Sequence, residues 1–496
     1  MSEVSAVIPA QAGIQENDLP KGWQLVELEK ICTVDNGRGF KKTEWKSEGL
    51  PIIRIQNLKD DEADFNYFAG ELDDKHKVKA GDLLFAWSGT PGTSFGAHIW
   101  HGSDAALNQH IFNVRFDKEK VDPKYFYFAL NQNVARYVAQ AQGGVGLAHI
   151  TKGKFMASKI PLMSVEQQKR IVAKIEELFS HIDAGIEALK KAKQLLKQYR
   201  QSVLKAAVTG ELTKEWRDAQ GRASVAGGRK PGATEAKHET AQELLEHILK
   251  ERREKWEEQQ LEQFKAKGKM PKGDKWKEKY KEPELGDHRF FSDIPDDWSA
   301  ASIDQLTWDV RYGSSSKTNE NEMGVPVLRM GNIVDGQLDY TDLKYLPKNH
   351  DEFPDLLLED GDLLFNRTNS AELVGKTAVF RDIGRQASLA SYLIRVRVVS
   401  GVEPDFAAYF INSSCGRNWI KSCVSQNVGQ ANVNGTKLKA LAMPLPSSGE
   451  QKEIVRVVEE KMQSSDRLLA EIDYQLLKVE KNKQSILASA FIGRIE

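Results

Sequence analysis

The loops of this sequence carry side chains of the types that read the edges of DNA bases. Arginine pairs bidentately with guanine, and asparagine or glutamine with adenine, each good pair discriminating by roughly 1–3 kcal/mol against the wrong base. In the first half the candidates are Arg38, Lys41, Lys42, Arg54, Gln56, Asn57, Asn108, Gln109 and His149. In the second they are Arg311, Lys317, Arg329, Asn332, Asn366, Arg367, Asn369, Gln426, Gln430 and Asn432. Taken singly, such a residue more often caps a loop or meets solvent than it reads a base. Phe40, Trp45, Trp87 and Trp308 read as core aromatics rather than stacking platforms.

Signatures of catalysis are missing from the same chain. The run Ser370 to Thr377 ends like a phosphate-binding loop, but Ser370 stands where the first glycine belongs. Gly143-Gly144-Val145-Gly146 lacks the second spacing and following acid of a dinucleotide fingerprint. Neither an Asn-Pro-Pro-Tyr-type methyltransferase motif nor a Pro-Asp…Glu-x-Lys nuclease cluster is present. Cys32, Cys415 and Cys423 lack metal-ligand spacing and read as buried thiols of a cytosolic protein. No catalytic residue, metal site or cofactor is expected, and a self-contained methyltransferase is disfavoured.

Charge sets a further bound. With 70 basic and 71 acidic residues the net charge is −1, so no global field draws in a polyanion, and DNA binding has to come from local patches. No apolar run approaches a membrane span. Met1 to Asp18 holds an acid at Glu3 and no basic start, so it reads as a loose extension rather than a signal peptide.

The candidate loops hang on a scaffold that occurs twice. Leu19-Pro20-Lys21-Gly22-Trp23 is answered by Ile294-Pro295-Asp296-Asp297-Trp298. Pro51-Ile52-Ile53-Arg54-Ile55-Gln56-Asn57 is answered by Pro326-Val327-Leu328-Arg329-Met330-Gly331-Asn332, and Gly81-Asp82-Leu83-Leu84-Phe85 by Gly361-Asp362-Leu363-Leu364-Phe365. The anchors are apolar, strand-like runs closed by glycine or proline. Between them the copies diverge: Asn36 to Lys42 stands opposite Arg311 to Lys317, and Trp87 to Thr93 opposite Asn366 to Glu372. Equal anchors with unequal loops predict two related sites of different specificity. Twisted sheets with short helices at Pro123–Ala139 and Pro404–Cys423 are expected.

Each copy closes in a long helix. Pro161 ends an extended run, Ser164 is a good N-cap with Gln167 placed as in a capping box, and Gly210 is placed as a C′ glycine. Ile171, Leu178, Ala192, Tyr199 and Ala206 repeat in sevens, as do Ile175, Ile182, Leu189, Leu196 and Val203, giving an apolar seam broken at Gly185. From Glu166 to Gly210 such a helix is about 67 Å long at 1.5 Å per residue, and a one-sided seam of that length needs a partner. The second copy offers Ile454, Val458, Leu468, Ile472, Val479 and Ile486, with poorer positions at Lys461, Gln475 and Asn482. The two helices are therefore predicted to pair with each other.

The expected layout is an extension (1–18), a first globular domain (19–162), helix (163–212), a charged, partly helical linker (213–293), a second domain (294–446) and a second helix (447–496). The linker's run of Lys272, Lys275, Lys277, Lys279 and Lys281 reads as a solvated face that could touch phosphate or an acidic partner. The expected fold class is α+β: an internal duplication of two homologous α/β domains, each followed by a long helix, the helices paired as an antiparallel coiled coil.

In its order and duplication this pattern resembles the specificity subunit of type I restriction–modification enzymes. The resemblance is carried by the Pro-x-Gly-Trp and Pro-x-x-Trp starts, the two Gly-Asp-Leu-Leu-Phe strands and the Pro-Leu…Glu-Gln-x-x-Ile-Val helix openings. Gly146-Leu147-Ala148-His149-Ile150 and Gly429-Gln430-Ala431-Asn432-Val433 are similar to the family's pre-helix loop, with His149 in place of its usual asparagine. The long central segment is less typical. The resemblance implies two target-recognition domains on a coiled coil and no catalysis in this subunit. It implies double-stranded DNA, two modification subunits carrying S-adenosylmethionine and methylating adenine, and restriction subunits carrying ATP-driven translocation and Mg2+-dependent cleavage. An antiparallel pair would put the domains at opposite ends of a rod longer than one DNA turn of about 34–36 Å, so that each reads a half-site. The rival expectation is a non-catalytic scaffold whose repeats bind proteins, which near-zero net charge favours.

Overall fold

The computed structural model describes residues 14–58, 63–89, 94–140, 148–226, 239–291, 294–427 and 430–495. The chain forms two compact units, Met1–Ala192 with Glu471–Glu496, and Lys193–Ala470. Each unit holds one α/β domain, the beginning of the long helix that follows it, and the end of the other long helix.

In the first unit an antiparallel sheet runs in the order β1 (Cys32–Asn36), β6 (Ile111–Phe116), β3 (Leu83–Ala86), β4 (Gly96–Ile99). A second sheet pairs β2 (Leu50–Ile53) with β5 (Ala105–Leu107) in parallel. The second unit repeats this plan, with the order β7 (Thr307–Tyr312), β12 (Leu393–Val398), β9 (Leu363–Asn366), β10 (Thr377–Val379). Its parallel pair is β8 (Val325–Leu328) with β11 (Ser388–Leu389). The central strands β3 and β9 are buried on both faces, which is why they read as unbroken apolar runs. Alternation sends Leu83 and Phe85 into one core and Leu84 and Ala86 into another.

The Gly-Asp that precedes each central strand has a physical reason. Gly81 and Gly361 sit at φ +83° and +89°, a left-handed turn open to glycine. The aspartate after each receives a cation from the neighbouring strand. Asp82 accepts from Asn113 Nδ2 at 3.0 Å and Arg115 Nη1 at 3.3 Å, and buried Asp362 accepts two bonds of 2.8 Å from Arg397. The helices expected at 123–139 and 404–423 are each broken in two, at Asn133 and at Ser413, whose hydroxyl caps the second piece.

The long helices are α1 (Val165–Val208) and α3 (Ser448–Ala490). Each is fastened to its own domain by a buried glutamine. Gln168 accepts from the Asp122 amide at 2.8 Å and donates to the carbonyls of Met163 (2.8 Å) and Lys120 (3.1 Å). Gln451 accepts from the Glu403 amide at 2.8 Å and donates to Pro446 (3.0 Å) and Gly401 (3.2 Å). At its far end each helix meets the start of the other domain. A Cβ on Gly210 would lie 2.3 Å from Cγ of Pro295, and one on Gly493 would lie 2.2 Å from Cγ of Pro20. Both glycines have positive φ, as the helix stop requires.

Within each unit the helices run antiparallel. In the first, Lys483 pairs with Asp183 at 2.6 Å while Leu487, Ala490 and Phe491 share a core with Ile171, Val172 and Ile175. In the second, Arg200 pairs with Asp466 at 2.5 Å while Ile454 and Val458 join Val203, Leu204, Ala207 and Val208. Of the expected seam, Ile171, Ile175, Val203, Ile454, Val458 and Ile472 are buried. Leu178, Ile182, Leu189, Leu196, Val479 and Ile486 are half-buried. Two positions are corrected: Tyr199 is 41% and Leu468 54% exposed. A straight helix turns every 3.6 residues rather than 3.5, so the contact stripe drifts off a strict heptad. It passes through Arg200 instead of Tyr199, and through Ser465 and Leu469 instead of Leu468.

The helical run expected in the central segment forms: helix α2 (Ala241–Ala266) opens with a Thr240–Glu243 capping box, and part of it is buried. Leu244 and Ile248 are buried in the second domain's core. Arg252 donates to the Thr307 carbonyl, and Lys255 Nζ stands 3.9 Å over the Trp308 ring of β7. Most of the expected N-terminal extension, and residues 143–147 and 429, lie outside the described residues. Among the described residues no helix is long and apolar enough to cross a membrane.

Candidate nucleic-acid interface

Both parallel strands end in the same turn. After β2 and β8 come Arg54-Ile55-Gln56-Asn57 and Arg329-Met330-Gly331-Asn332, each a 3-10 turn. The asparagine accepts from the arginine amide, at 3.1 Å in the first copy and 2.8 Å in the second. Its Nδ2 donates to two loop carbonyls, Ala63 and Asp64 or Asp339 and Asp342. Asn57 and Asn332 are thus buried and spent on holding the loop, and base reading is withdrawn from them. The arginine side chains are half-buried and bonded back to the same loop, to the Asp64 and Asp342 carbonyls. Arg54 lies 5.3 Å over the Trp45 ring, and Arg329 is held by the Asp342 carboxylate at 2.8 Å.

Arg38 follows β1 on a backbone bridge to Asn108, its amide donating to the Leu107 carbonyl at 2.8 Å. Gly37 passes so close that a Cβ there would lie 2.0 Å from the Asn108 carbonyl oxygen. The Arg38 guanidinium sits 4.9 Å from both the Phe40 and Phe68 rings and pairs with Glu44. The Lys41 amide and that guanidinium hold the Glu44 carboxyl below its usual range. The fold therefore gathers Arg38, Asn108 and Gln109, with Lys41, Lys42, Gln56 and Gln109 exposed.

A second cluster forms where the central strands emerge. In the first domain Ser88–Gly89 pairs with Ala148–His149. The Trp87 ring lies 4.7 Å from that of His149 and 5.2 Å from that of His110. Trp87 Nε1 and the Nδ1 atoms of both histidines are buried and have no hydrogen-bond partner among the described residues. In the second domain Thr368–Asn369 pairs with Ala431 and Asn432, and Asn432 Nδ2 donates to Thr368 Oγ1 at 2.7 Å. Arg367 takes the place of Trp87: its amide donates to the Tyr392 carbonyl (3.0 Å) as that of Trp87 does to His110 (3.2 Å). Its guanidinium lies 4.7 Å over the Tyr312 ring. One backbone carries Trp87, His110 and His149 in one copy, and Arg367, Tyr392 and Asn432 in the other.

The remaining candidates divide. Asn366 is fully buried at the end of β9 and is withdrawn as a base reader. Arg311 is tied to Asp309 (3.0 Å) and Asp355 (3.2 Å), while Lys317 is exposed. Asn369 accepts from the Ser370 amide at 2.8 Å. Gln426 and Gln430 lie on paired strands beside Asn432. The aromatics His110, Tyr312 and Tyr392 stand in these clusters although they were not among the candidates. Trp87, expected as a core aromatic, packs against the first domain's core while also lining the cluster. The available signal was their position, flanking strands that match between the copies while differing in side-chain type.

Comparison with known proteins agrees with the duplication. The family described as the type I restriction modification DNA specificity domain matches residues 20–196 and again 295–477. The chain is 26% identical over 489 residues to the EcoKI specificity subunit of Escherichia coli (strain K12), covering 96% of this chain and 90% of that protein. It is 25% identical over 484 residues to the EcoBI specificity subunit of Escherichia coli, covering 95% and 86%. Its fold resembles a chain from a structure of a type I R-M system (TM-score 0.61, 16% identity, covering 96% and 99%). It also resembles the HsdS subunit of Thermoanaerobacter tengcongensis (TM-score 0.51, 16% identity, covering 96% and 98%).

Proposed function

Because the chain belongs to the type I restriction–modification DNA specificity family, with two copies of its domain, we infer that it is the specificity subunit of such a complex. It reads a bipartite, asymmetric site on double-stranded DNA, one half-site per domain. The observation that carries this reading is the short strand pair beyond each central strand, the same backbone twice with Trp87, His110 and His149 exchanged for Arg367, Tyr392 and Asn432. A scaffold that only docked proteins would have no use for that exchange.

The subunit itself is non-catalytic and holds no cofactor. Two modification subunits supply S-adenosylmethionine and methyl transfer; restriction subunits supply ATP, Mg2+ and cleavage. All of this takes place in the cytoplasm. Purified alone, the chain should transfer no methyl group and hydrolyse no ATP, and methylation should appear on adding the modification subunit. Turnover by the clean, lone chain would sink the reading.

Substitutions should separate the half-sites. Arg38→Ala or Gln56→Ala is expected to relax bases in one half-site, and Arg367→Ala or Asn432→Ala in the other. Each lost base contact is worth about 1–3 kcal/mol, or roughly 5- to 150-fold in discrimination. Methylation-site sequencing of the reconstituted complex checks this. If both pairs relax the same bases, the two-reader arrangement is wrong.

A further inference from the structure

Residues 265–281 hold eight lysines against Asp274 and Glu278, in a chain whose net charge is −1. The run is folded into a fixed hairpin. Helix α2 stops at Gly268 (φ +64°), where the Lys269 amide donates to the Phe264 carbonyl at 3.0 Å. A turn at Gly273 (φ +122°) brings the chain back, and the 3-10 turn Lys275–Lys279 plants Trp276 against the helix. That ring stacks on Trp256 at 5.9 Å and meets Phe264 at 6.0 Å, while Tyr280 lies 5.2 Å from Trp256. Lys277 closes the hairpin onto Glu257 at 2.9 Å. The root of α2 is anchored in the second recognition domain through Leu244 and Ile248.

The aromatic rings are thus turned inward and the charge outward. On the helix body, basic residues meet acids one turn away: Lys250 with Glu254 (3.9 Å) and Arg253 with Glu257 (3.4 Å). On the hairpin Lys267, Lys269, Lys272, Lys275, Lys279 and Lys281 are exposed and have no ion pair among the described residues. We propose that this lysine hairpin is a second DNA-binding element, which grips the phosphate backbone without reading sequence. The proposal rests on the specificity-subunit reading above.

The chemistry favours phosphate over a protein partner. Lysine is a flexible point charge and suits a row of phosphates whose geometry varies with sequence. Protein interfaces bury an apolar and aromatic centre and are depleted in lysine, and here the aromatics are already consumed inside the hairpin. A chain with no net positive charge has to place its polyanion attraction in such a patch.

The test is a full-length chain carrying Lys267→Gln, Lys269→Gln, Lys272→Gln, Lys275→Gln and Lys279→Gln, assembled with modification subunits. Binding to a duplex with the target site and to a scrambled duplex is measured across a salt series. Each phosphate contact contributes about 0.9 to the slope of log affinity against log salt. We expect the slope to fall by about 2 or more, both duplexes to weaken by the same factor, and the methylated sequence to stay unchanged. The five Lys→Arg counterparts should restore the slope, which a merely structural role would not predict. An unchanged slope overturns the proposal, and so does loss of assembly with the modification subunit, which would make the hairpin a protein dock. A wild-type complex that binds neither duplex would instead overturn the specificity-subunit reading itself.

Discussion

A chain cut after Leu212 is expected to form an antiparallel homodimer and, with modification subunits, to methylate a symmetric, interrupted site. The cut exposes the α1 seam, and Ile175 or Leu196 gains roughly 1.5–3 kcal/mol by full burial. The first unit shows what the seam would find. Its core takes Leu487, Ala490 and Phe491 from the end of α3, and Pro20 receives Gly493. Counted back from Gly210, the matching residues of α1 are Leu204, Ala207 and Val208. A second copy therefore offers nearly the same insert, with one shortfall: Val208 is smaller than Phe491, whose ring packs 5.3 Å from Tyr125. Val208→Phe in the shortened chain should tighten the dimer. Light scattering and methylation-site sequencing decide the matter. A monomer, or a dimer that keeps the asymmetric site, would rule the arrangement out.

The largest loss of stability is expected from the buried glutamines. Gln451→Ala removes three hydrogen bonds at once and leaves the Glu403 amide and the Pro446 and Gly401 carbonyls without partners. Each orphaned buried group costs about 1–3 kcal/mol, so the total should be about 3 kcal/mol or more. In a domain of this size, about 3 kcal/mol corresponds to a drop in Tm of about 6–12 °C. Gln168→Ala should act alike on the first unit. The glutamate variants should lose at least as much at neutral pH. A buried carboxylate still accepts from the Glu403 or Asp122 amide but turns an acceptor oxygen, with its charge, towards the two carbonyls. Calorimetry of the full chain reads the effect; a loss below about 1 kcal/mol would mean that water or neighbouring groups replace the glutamine.

The scaffold was legible because its anchors answer to local physics. Gly81 and Gly361 need positive φ, Asp82 and Asp362 need a cation from the adjacent strand, and buried strands need unbroken apolar runs. Such demands recur wherever the fold recurs, so the two copies display them in register. The site was less legible, because asparagine serves loop-holding and base-reading equally well. Only the three hydrogen bonds of Asn57 and of Asn332 tell the roles apart. Tyr199 and Leu468 were misplaced because a one-residue drift of the stripe is set by the partner helix, which periodicity does not contain. The hairpin of Trp256, Phe264, Trp276 and Tyr280 was hidden for a similar reason, since its contacts close across a turn.

The two glycine–proline seats have a consequence for heredity. Pro20 and Pro295 accept the same kind of helix end, and each accepts it from the other half of the chain. A domain with its helix is therefore a cassette bounded by joints of a common shape. A crossover between two such genes within the repeated helix openings would exchange one cassette and leave both joints intact. New recognition sequences can then arise by shuffling complete half-site readers, each already folded and tested, rather than by accumulating substitutions in a single pocket.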